Sequence, residues 1–437
     1  MKNNPSTTTF YLFGAEGSYV AAVHVRLFEN VNTSVLTHAA NSAIRRFPYL
    51  ALQLKEGADG LFEYISNDRP ICVFNNFEDH VLLTEQSNYH ALNLEAVGNE
   101  IVFNFGHFIM DGKTMMEWIK TVLYYYFCEY TGIRLDPANI RTLSDIIDPE
   151  EFDDPLKPYA DQALRELLKK NGGKSPFAPN HERVSRKLED IRDIYGLSDY
   201  VDINGKGRTC FFWFRSTDFM KFARISDGSP ATLTAAVLTH ILHERKPDLN
   251  KPVSMDILQD LRPGLGTPLA HHSLISKVFI NYPPHVTGRS VETLSTMARG
   301  VVILATQSEG YQKAIDGCAK LAAAALAMPD HETRYNELSK NLPTQCCNIS
   351  YVGIIPFGAV EKYVDEMYVV IPPNPDYLNA EITCLNDKLM FTFTQYFDDT
   401  SIVESFADYF ASKGITVHNY RVEPLRTTKI RMSAAGQ

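Results

Sequence analysis

The feature that most constrains this chain is a change of hydrophobic period between Ile101 and Tyr130. Ile101, Phe103 and Phe105 alternate and so share one face of a strand, whereas Met115, Ile119, Val122, Leu123, Tyr126, Phe127 and Tyr130 fall at helical spacing. Two such periods cannot share one element, so the residues between them form a strand-to-helix junction. Thr114 followed by Glu117 has the spacing of a capping box and places the expected helix start there. A loop fixed between two rigid elements is where a side chain is held firmly and still reaches a cleft.

The junction reads Gly106-His107-Phe108-Ile109-Met110-Asp111-Gly112. An ordinary imidazole is mostly neutral at pH 7 and can take a proton from an alcohol or amine as that group attacks a carbonyl, which makes an exposed His107 a candidate general base. Asp111, four residues on, can turn back onto backbone groups or pair with an Arg and so lock the loop. Gly112 is expected to supply a backbone geometry or a close approach that other residues resist. On pattern alone, a structural histidine beside an Asp-Gly turn accounts for the segment equally well.

The rest of the chain asks for two such bodies. Its 437 residues exceed one core of usual size, and a hydrophobic share of 45%, with 22 Tyr and 25 Phe, is enough to fill two. Strands are expected at Tyr19–Phe28, Ala51–Lys55, Leu61–Ile65, Ala91–Leu94 and Ile101–Phe105, with a helix after Asn32 that Pro48 ends. Asn171-Gly172-Gly173, the prolines flanking Phe177 and a charged, solvated helix at His181–Arg192 mark a linker. The division is then an N-terminal lobe, 1–170, a crossover, 171–205, and a C-terminal lobe, 206–437. In the second lobe, strands are expected at Arg208–Arg215, Val253–Leu258, Ser273–Asn281, Cys347–Val352, Tyr368–Ile371, Asn379–Leu385 and Lys388–Gln395, the last two joined by an Asn386-Asp387 turn. Helices are expected at Asp218–Ile225, Leu233–His243 and Ser401–Ser412, with a long Ala-rich helical region at Val291–Met328. Neither half alternates strand and helix strictly or carries a Gly-rich phosphate loop, so the fold class is α/β (α+β), with a mixed sheet packed by helices in each lobe.

Several functions are excluded. A net charge of −10 without a Lys/Arg stripe makes nucleic acid a poor partner. Seven Cys are scattered with no CxxC pair, which fits a reduced cytoplasmic chain without a metal site. No window approaches eighteen uninterrupted apolar residues and the first ten lack signal-peptide order, so no membrane span is expected. His240, His243 and Glu244 stand in the wrong order for a helical zinc signature, His271-His272 reads as loop, and Cys346-Cys347 reads as a buried strand pair.

The HxxxDG segment resembles the signature of the CoA-dependent acyltransferase superfamily, which includes chloramphenicol acetyltransferase, the BAHD and alcohol acyltransferases, and the condensation domains of nonribosomal peptide synthesis. Other stretches fit in order. Arg45-Arg46-Phe47-Pro48-Tyr49-Leu50 is similar to the family's early Arg-x-x-Pro-x-Leu region and Thr232–His243 to a Thr-bearing helix. Met255–Arg262 with Val278-Phe279-Ile280-Asn281 resembles a strand pair with an Arg and a later Asn, and Asn348–Gly353 stands where relatives carry Asn-x-Gly or Asp-Phe-Gly-Trp-Gly.

The resemblance implies two chloramphenicol-acetyltransferase-like lobes in a pseudo-dimeric arrangement, meeting at a solvent channel with His107 at its centre. It implies acyl transfer without a covalent intermediate or a bound cofactor. The donor would be acyl-CoA as co-substrate, or an acyl carrier protein, and the acceptor the hydroxyl or amine of a small molecule. His107 is then the base, Asp111 the structural residue with Arg262 as partner, and Asn348 and Ser350 donors to the oxyanion. Condensation domains carry a second His where this chain has Gly106, and a basic residue where it has Ala51. Both departures favour a free-standing CoA-dependent O- or N-acyltransferase over a condensation-type enzyme using carrier-bound substrates. A catalytically silent two-lobed binding protein is the remaining alternative.

Overall fold

The computed structural model describes residues 20–56, 62–78, 80–181, 207–248, 250–340, 345–373 and 378–430. The first half contributes β1 (Val20–Leu27), β2 (Leu52–Glu56), β3 (Phe62–Ser66), β4 (Val73–Phe74), β5 (Val81–Leu82), β6 (Leu92–Val97) and β7 (Glu100–Gly106). The second contributes β8 (Arg208–Arg215), β9 (Val253–Asp260), β10 (Ile275–Tyr282), β11 (Cys347–Ile354), β12 (Val364–Val370), β13 (Leu378–Leu385), β14 (Lys388–Gln395), β15 (His418–Pro424) and β16 (Lys429–Ile430). Most of the expected elements appear within a few residues of their expected bounds. The charged stretch at His181–Arg192, and most of the crossover, lie outside the described residues.

Two mixed sheets organise the molecule. The five-stranded sheet runs β12-β1-β7-β6-β4, with β4 and β6 parallel and the other pairs antiparallel. The seven-stranded sheet runs β10-β9-β11-β13-β14-β8-β15, and β11 lies parallel to both β9 and β13. In β1 the alternation sends Val23, Val25 and Leu27 to one face and Ala22, His24 and Arg26 to the other. The apolar face packs on the helices Thr33–Ile44 and Gly112–Thr131, where Trp118 meets Phe103 edge-on at 5.7 Å. Burying a side chain of that size contributes roughly 1.5–3 kcal/mol, so this seam fixes the long helix against the strand that precedes it. A second core lies under the seven-stranded sheet, built from Phe212, Phe214, Phe391, Phe393, Phe406 and Phe410 with the helices Pro230–Arg245 and Ser401–Ser412.

The halves are stitched together. β12 comes from the second half of the sequence yet completes the first sheet, pairing Ala22 with Val370 and His24 with Tyr368. The polar faces of the two sheets turn toward each other around it, with a small apolar patch of Phe211, Tyr368, Val370 and Met390 between them. The C-terminal segment returns the same way: after β15 on the second sheet, β16 pairs with β5. Among the described residues no helix is long and apolar enough to cross a membrane.

The Ala-rich helical region Val291–Met328 holds two helices, Val291–Ala305 and Ser308–Ala327, with the Thr306 hydroxyl on the carbonyls of Val302 and Ile303 at the break. One expectation about helices needs correction. The helix after the HxxxDG segment starts at Gly112 with Asp111 as its N-cap, so Thr114 is an interior residue of the first turn. The carboxylate wins because it is charged and accepts from both Thr114 N at 3.1 Å and Thr114 Oγ1 at 3.3 Å. At the other end the helix stops at Gly132, whose φ of 69° is the left-handed conformation a C-cap requires.

Candidate active site

The site is built around the end of β7. Pairing with β1 carries the strand to Gly106, opposite Val20, and the chain then turns through His107 into the helix at Gly112. Phe108, Ile109 and Met110 all sink into the first core, so the loop is anchored by its apolar residues as well as by its ends. The glycine requirement falls on Gly106 rather than on Gly112. A Cβ at Gly106 would stand 2.3 Å from Phe108 Cε1, whereas one at Gly112, on helical backbone, would meet only Val352 Cγ2 at 3.9 Å. Any side chain at 106 must therefore displace the Phe108 ring, and the expected special geometry at Gly112 is absent.

Asp111 is the hub. Its side chain is 2% exposed and faces Arg262, equally buried, with Nη1 2.8 Å from Oδ2 and Nη2 3.0 Å from Oδ1. The Leu274 N–H donates to Oδ2 at 3.1 Å. Burial alone would push the Asp111 carboxyl up, but the Arg262 charge and the donors from Arg262, Leu274 and Thr114 outweigh it and hold the carboxyl below its usual range. The carboxylate is thus saturated by structural partners, and a carboxylate so engaged is a tie rather than a proton carrier. Arg262 comes from the second half of the chain and is itself held by the carbonyls of Ala270 at 2.7 Å and His272 at 2.9 Å, and by Asp260 at 2.9 Å.

His107 is 4% exposed, which corrects the expectation of an exposed ring: the loop folds inward with Phe108 to Met110, and the imidazole lies 5.8 Å from the Phe105 ring. Desolvation lowers its pKa below the ordinary value, with its own main-chain carbonyl and the Asp111 charge opposing. A buried imidazole of depressed pKa is neutral at pH 7, the form that accepts a proton.

A second network grips the loop that steadies Arg262, residues 266–274. Glu151, fully buried in the short helix Pro149–Phe152, takes both Arg46 terminal nitrogens at 2.8 Å, Arg141 at 2.9 Å and the Tyr49 hydroxyl at 2.6 Å. Tyr49 Oη also lies 2.7 Å from His271 Nδ1, and the His271 N–H donates to the Glu151 carbonyl at 2.9 Å. Next to it, the Leu269 N–H donates to Glu150 at 2.6 Å, and His272 Nε2 lies 2.9 Å from the Phe152 carbonyl. Despite burial, these donors and cations hold Glu151 down to about 2, while burial and the nearby Arg141 push His271 down to about 3. His271 and His272 do lie in a loop, as read from sequence, but a buried one. Glu151 escaped the sequence reading, and the local signal was Asp148-Pro149-Glu150-Glu151, which forms a capping box.

Asn348 and Ser350 sit on β11, on the polar face of the second sheet. Asn348 Nδ2 donates to Asn379 Oδ1, and Ser350 stands opposite Glu381. Burial raises Glu381 to about 7, with Asn379 and Ser350 opposing the rise. The structure therefore brings Arg262 to Asp111 beside His107, while the bonds of Asn348 and Ser350 run across the seven-stranded sheet.

No family model matches the sequence and no curated protein matches it. Solved structures do match over nearly the whole chain. Polyketide synthase associated protein 5 from Mycobacterium tuberculosis is 14% identical with a TM-score of 0.59, covering 94% of this chain and 97% of its own. The condensation domain of the Monacolin K polyketide synthase MokA is 11% identical with a TM-score of 0.58, covering 94% and 95%. TRI101 from F. graminearum, solved with coenzyme A and T-2 mycotoxin, is 11% identical with a TM-score of 0.59, covering 95% and 98%. The fold is the one these structures share, a condensation domain and a coenzyme A-bound protein among them. At these identities the likeness speaks for the fold, and the chemistry rests on the residues of this chain.

Proposed function

We propose that this chain is an acyltransferase that moves an acyl group from acyl-CoA, or from a carrier-protein thioester, onto the hydroxyl or amine of a small acceptor. The observation that carries the reading is the locked loop: a desolvated, neutral His107 at the end of β7, held by an Asp111 whose carboxylate is wholly engaged with Arg262, Leu274 and Thr114. Such an imidazole takes the acceptor's proton as the acceptor oxygen or nitrogen bonds to the thioester carbonyl carbon. The tetrahedral intermediate then breaks its C–S bond, and the proton passes from His107 to the departing thiolate. No bond to the protein forms. Asn348 and Ser350 are proposed as oxyanion donors, a task worth roughly 3 kcal/mol for one donor.

The test is thiol release from acetyl-CoA with a mixture of alcohols and amines. His107→Ala is expected to lower turnover by roughly 10² to 10⁴ with the fold intact. Undiminished activity in the variant would move the base elsewhere, and no release with any donor and acceptor would favour the silent binding protein.

A further inference from the structure

β12 is the outer strand of the five-stranded sheet, and its free edge lies against the polar face of the seven-stranded one. Parity says which residues form that edge. The Leu27 N–H of β1 bonds toward β7, to Asn99, and the Phe28 N–H toward β12, to Tyr363. Even-numbered β1 residues therefore bond to β12, and their partners Tyr368 and Val370 turn their main-chain groups to β1. Met367, Val369 and Ile371 turn theirs outward, to the second sheet. Side chains on one face of β13 meet them there. Thr383 Oγ1 donates to the Met367 carbonyl at 2.9 Å, and Asn379 Nδ2 to the Ile371 carbonyl at 3.4 Å, where Thr394, across from Asn379, adds its Oγ1 at 2.5 Å. Both spans are four residues long, so the two strands stay in step, and the middle rung sets Glu381 against Val369.

Both outer rungs give a proton to a carbonyl, and a carboxylate has none to give, whereas a neutral carboxyl has one. The surroundings of Glu381 favour the neutral form. Burial raises its carboxyl to about 7, and the bonds that oppose the rise, from Asn379 at 3.0 Å and from Ser350, come from uncharged groups. Titratable side chains on the strands around it are engaged elsewhere: Tyr368 donates to Glu100, Glu366 takes Arg26 and Arg421, Asp365 takes Lys388, and Asp256 takes Lys277. Thr392, directly across from Glu381 on β14, is 1% exposed, and its Oγ1 has no hydrogen-bond partner among the described residues. An ionised carboxylate one cross-strand pair away would accept from that hydroxyl, so the unbonded Oγ1 marks a carboxyl turned toward β12 instead.

We infer that Glu381 is the proton-bearing middle rung of this ladder, donating to the Val369 carbonyl, and that its ionisation releases β12 from the second sheet, a pH-sensitive latch between the halves. The latch is independent of the transfer reading. Its folded value lies above the ordinary 4.5, so its contribution is complete below 4.5 and is lost as pH rises through about 7. Buried imidazoles of lowered pKa, His90, His107, His271 and His331 among them, act in the opposite sense on the whole curve, so the latch is read as a difference. Glu381→Gln keeps the shape and gives the rung a permanent N–H donor. In urea unfolding, the ratio of wild-type to variant unfolding constants is expected to rise about tenfold per pH unit between about 5 and 7 and then level off. Exchange protection of the Tyr368 and Val370 amides, corrected for the intrinsic rate, should fall between about pH 6 and 8 in the wild type alone. Infrared spectra of the wild type should show a carboxylic-acid C=O band at about pH 6 that is lost by about pH 8, a readout that needs no variant to fold. A ratio constant with pH, protection that does not distinguish the two proteins, or no acid band at about pH 6 overturns the inference.

Discussion

At the scale of single residues, the division of labour within HxxxDG follows from solvation. The burial of His107 outweighs the pull of the Asp111 charge, so the ring stays neutral, whereas Asp111 has lost water and gained Arg262, so it stays ionised. Their substitutions should therefore differ in kind. Asp111→Ala leaves the Arg262 guanidinium buried without its main counter-charge, and is expected to cost about 3–5 kcal/mol in urea unfolding together with most of the activity. Lys113→Ala, two residues on but half exposed and 3.6 Å from Asp260, should change stability by less than about 1 kcal/mol. An Asp111 variant of normal stability and rate would contradict the structural role. The sequence offered Asp111 backbone groups or an Arg as partners, and its contacts are of both kinds, to Thr114 N and to Arg262. It could not convey the burial of His107, which depends on three apolar neighbours folding inward.

At the scale of elements, the His107 loop is only as firm as the loop at 266–274, which supplies the Leu274 donor and steadies Arg262 through two carbonyls. The Pro149–Phe152 helix grips that loop through Glu151. Glu151→Gln breaks the buried Arg46 pair and is expected to cost about 3–5 kcal/mol; hydrogen exchange at Leu274 should accelerate with it, and protection unchanged from wild type would sever the two networks. Both groups also set an acid limit. The stability from Glu151 is full above the ordinary value of 4.5 and is lost as pH falls toward about 2. His271 must stay neutral in the fold while the unfolded imidazole protonates below 6.5, so stability drains as pH falls from there toward about 3. Thermal midpoints should fall steadily from about pH 7 to about pH 4, and a flat profile would exclude this linkage. Elements with a clean period were legible in the sequence: β7, β8 and β14 lie where their alternation puts them, and the body of the helix after β7 and Ser401–Ser412 where their helical spacing does. So was the hairpin at Asn386 and Asp387, whose φ of 50° and 59° suit the tight turn those residue types favour. The clamp was not legible, because Arg46 and Glu151 are 105 residues apart and an ion pair leaves no periodicity.

At the scale of the molecule, neither half completes its own site. The first sheet takes its edge strand, β12, from the second half, and the first half's loop takes its lock, Arg262, from the same source. A fragment of residues 1–181 produced alone is expected to show no cooperative unfolding, since β1 would lose the pairing that runs along Ala22 to Leu27. A sharp melt near that of the whole chain would mean the β12 pairing is dispensable. Together the halves keep His107 dry and neutral, and that is the claim on which the proposed chemistry stands. The pH dependence of kcat/KM for thiol release tests it most directly. Activity should stay level through neutrality and fall tenfold per pH unit only well below 6.5, the ordinary imidazole value, with that limb absent in His107→Gln. A limb at or above 6.5, or one that persists in the variant, would contradict it.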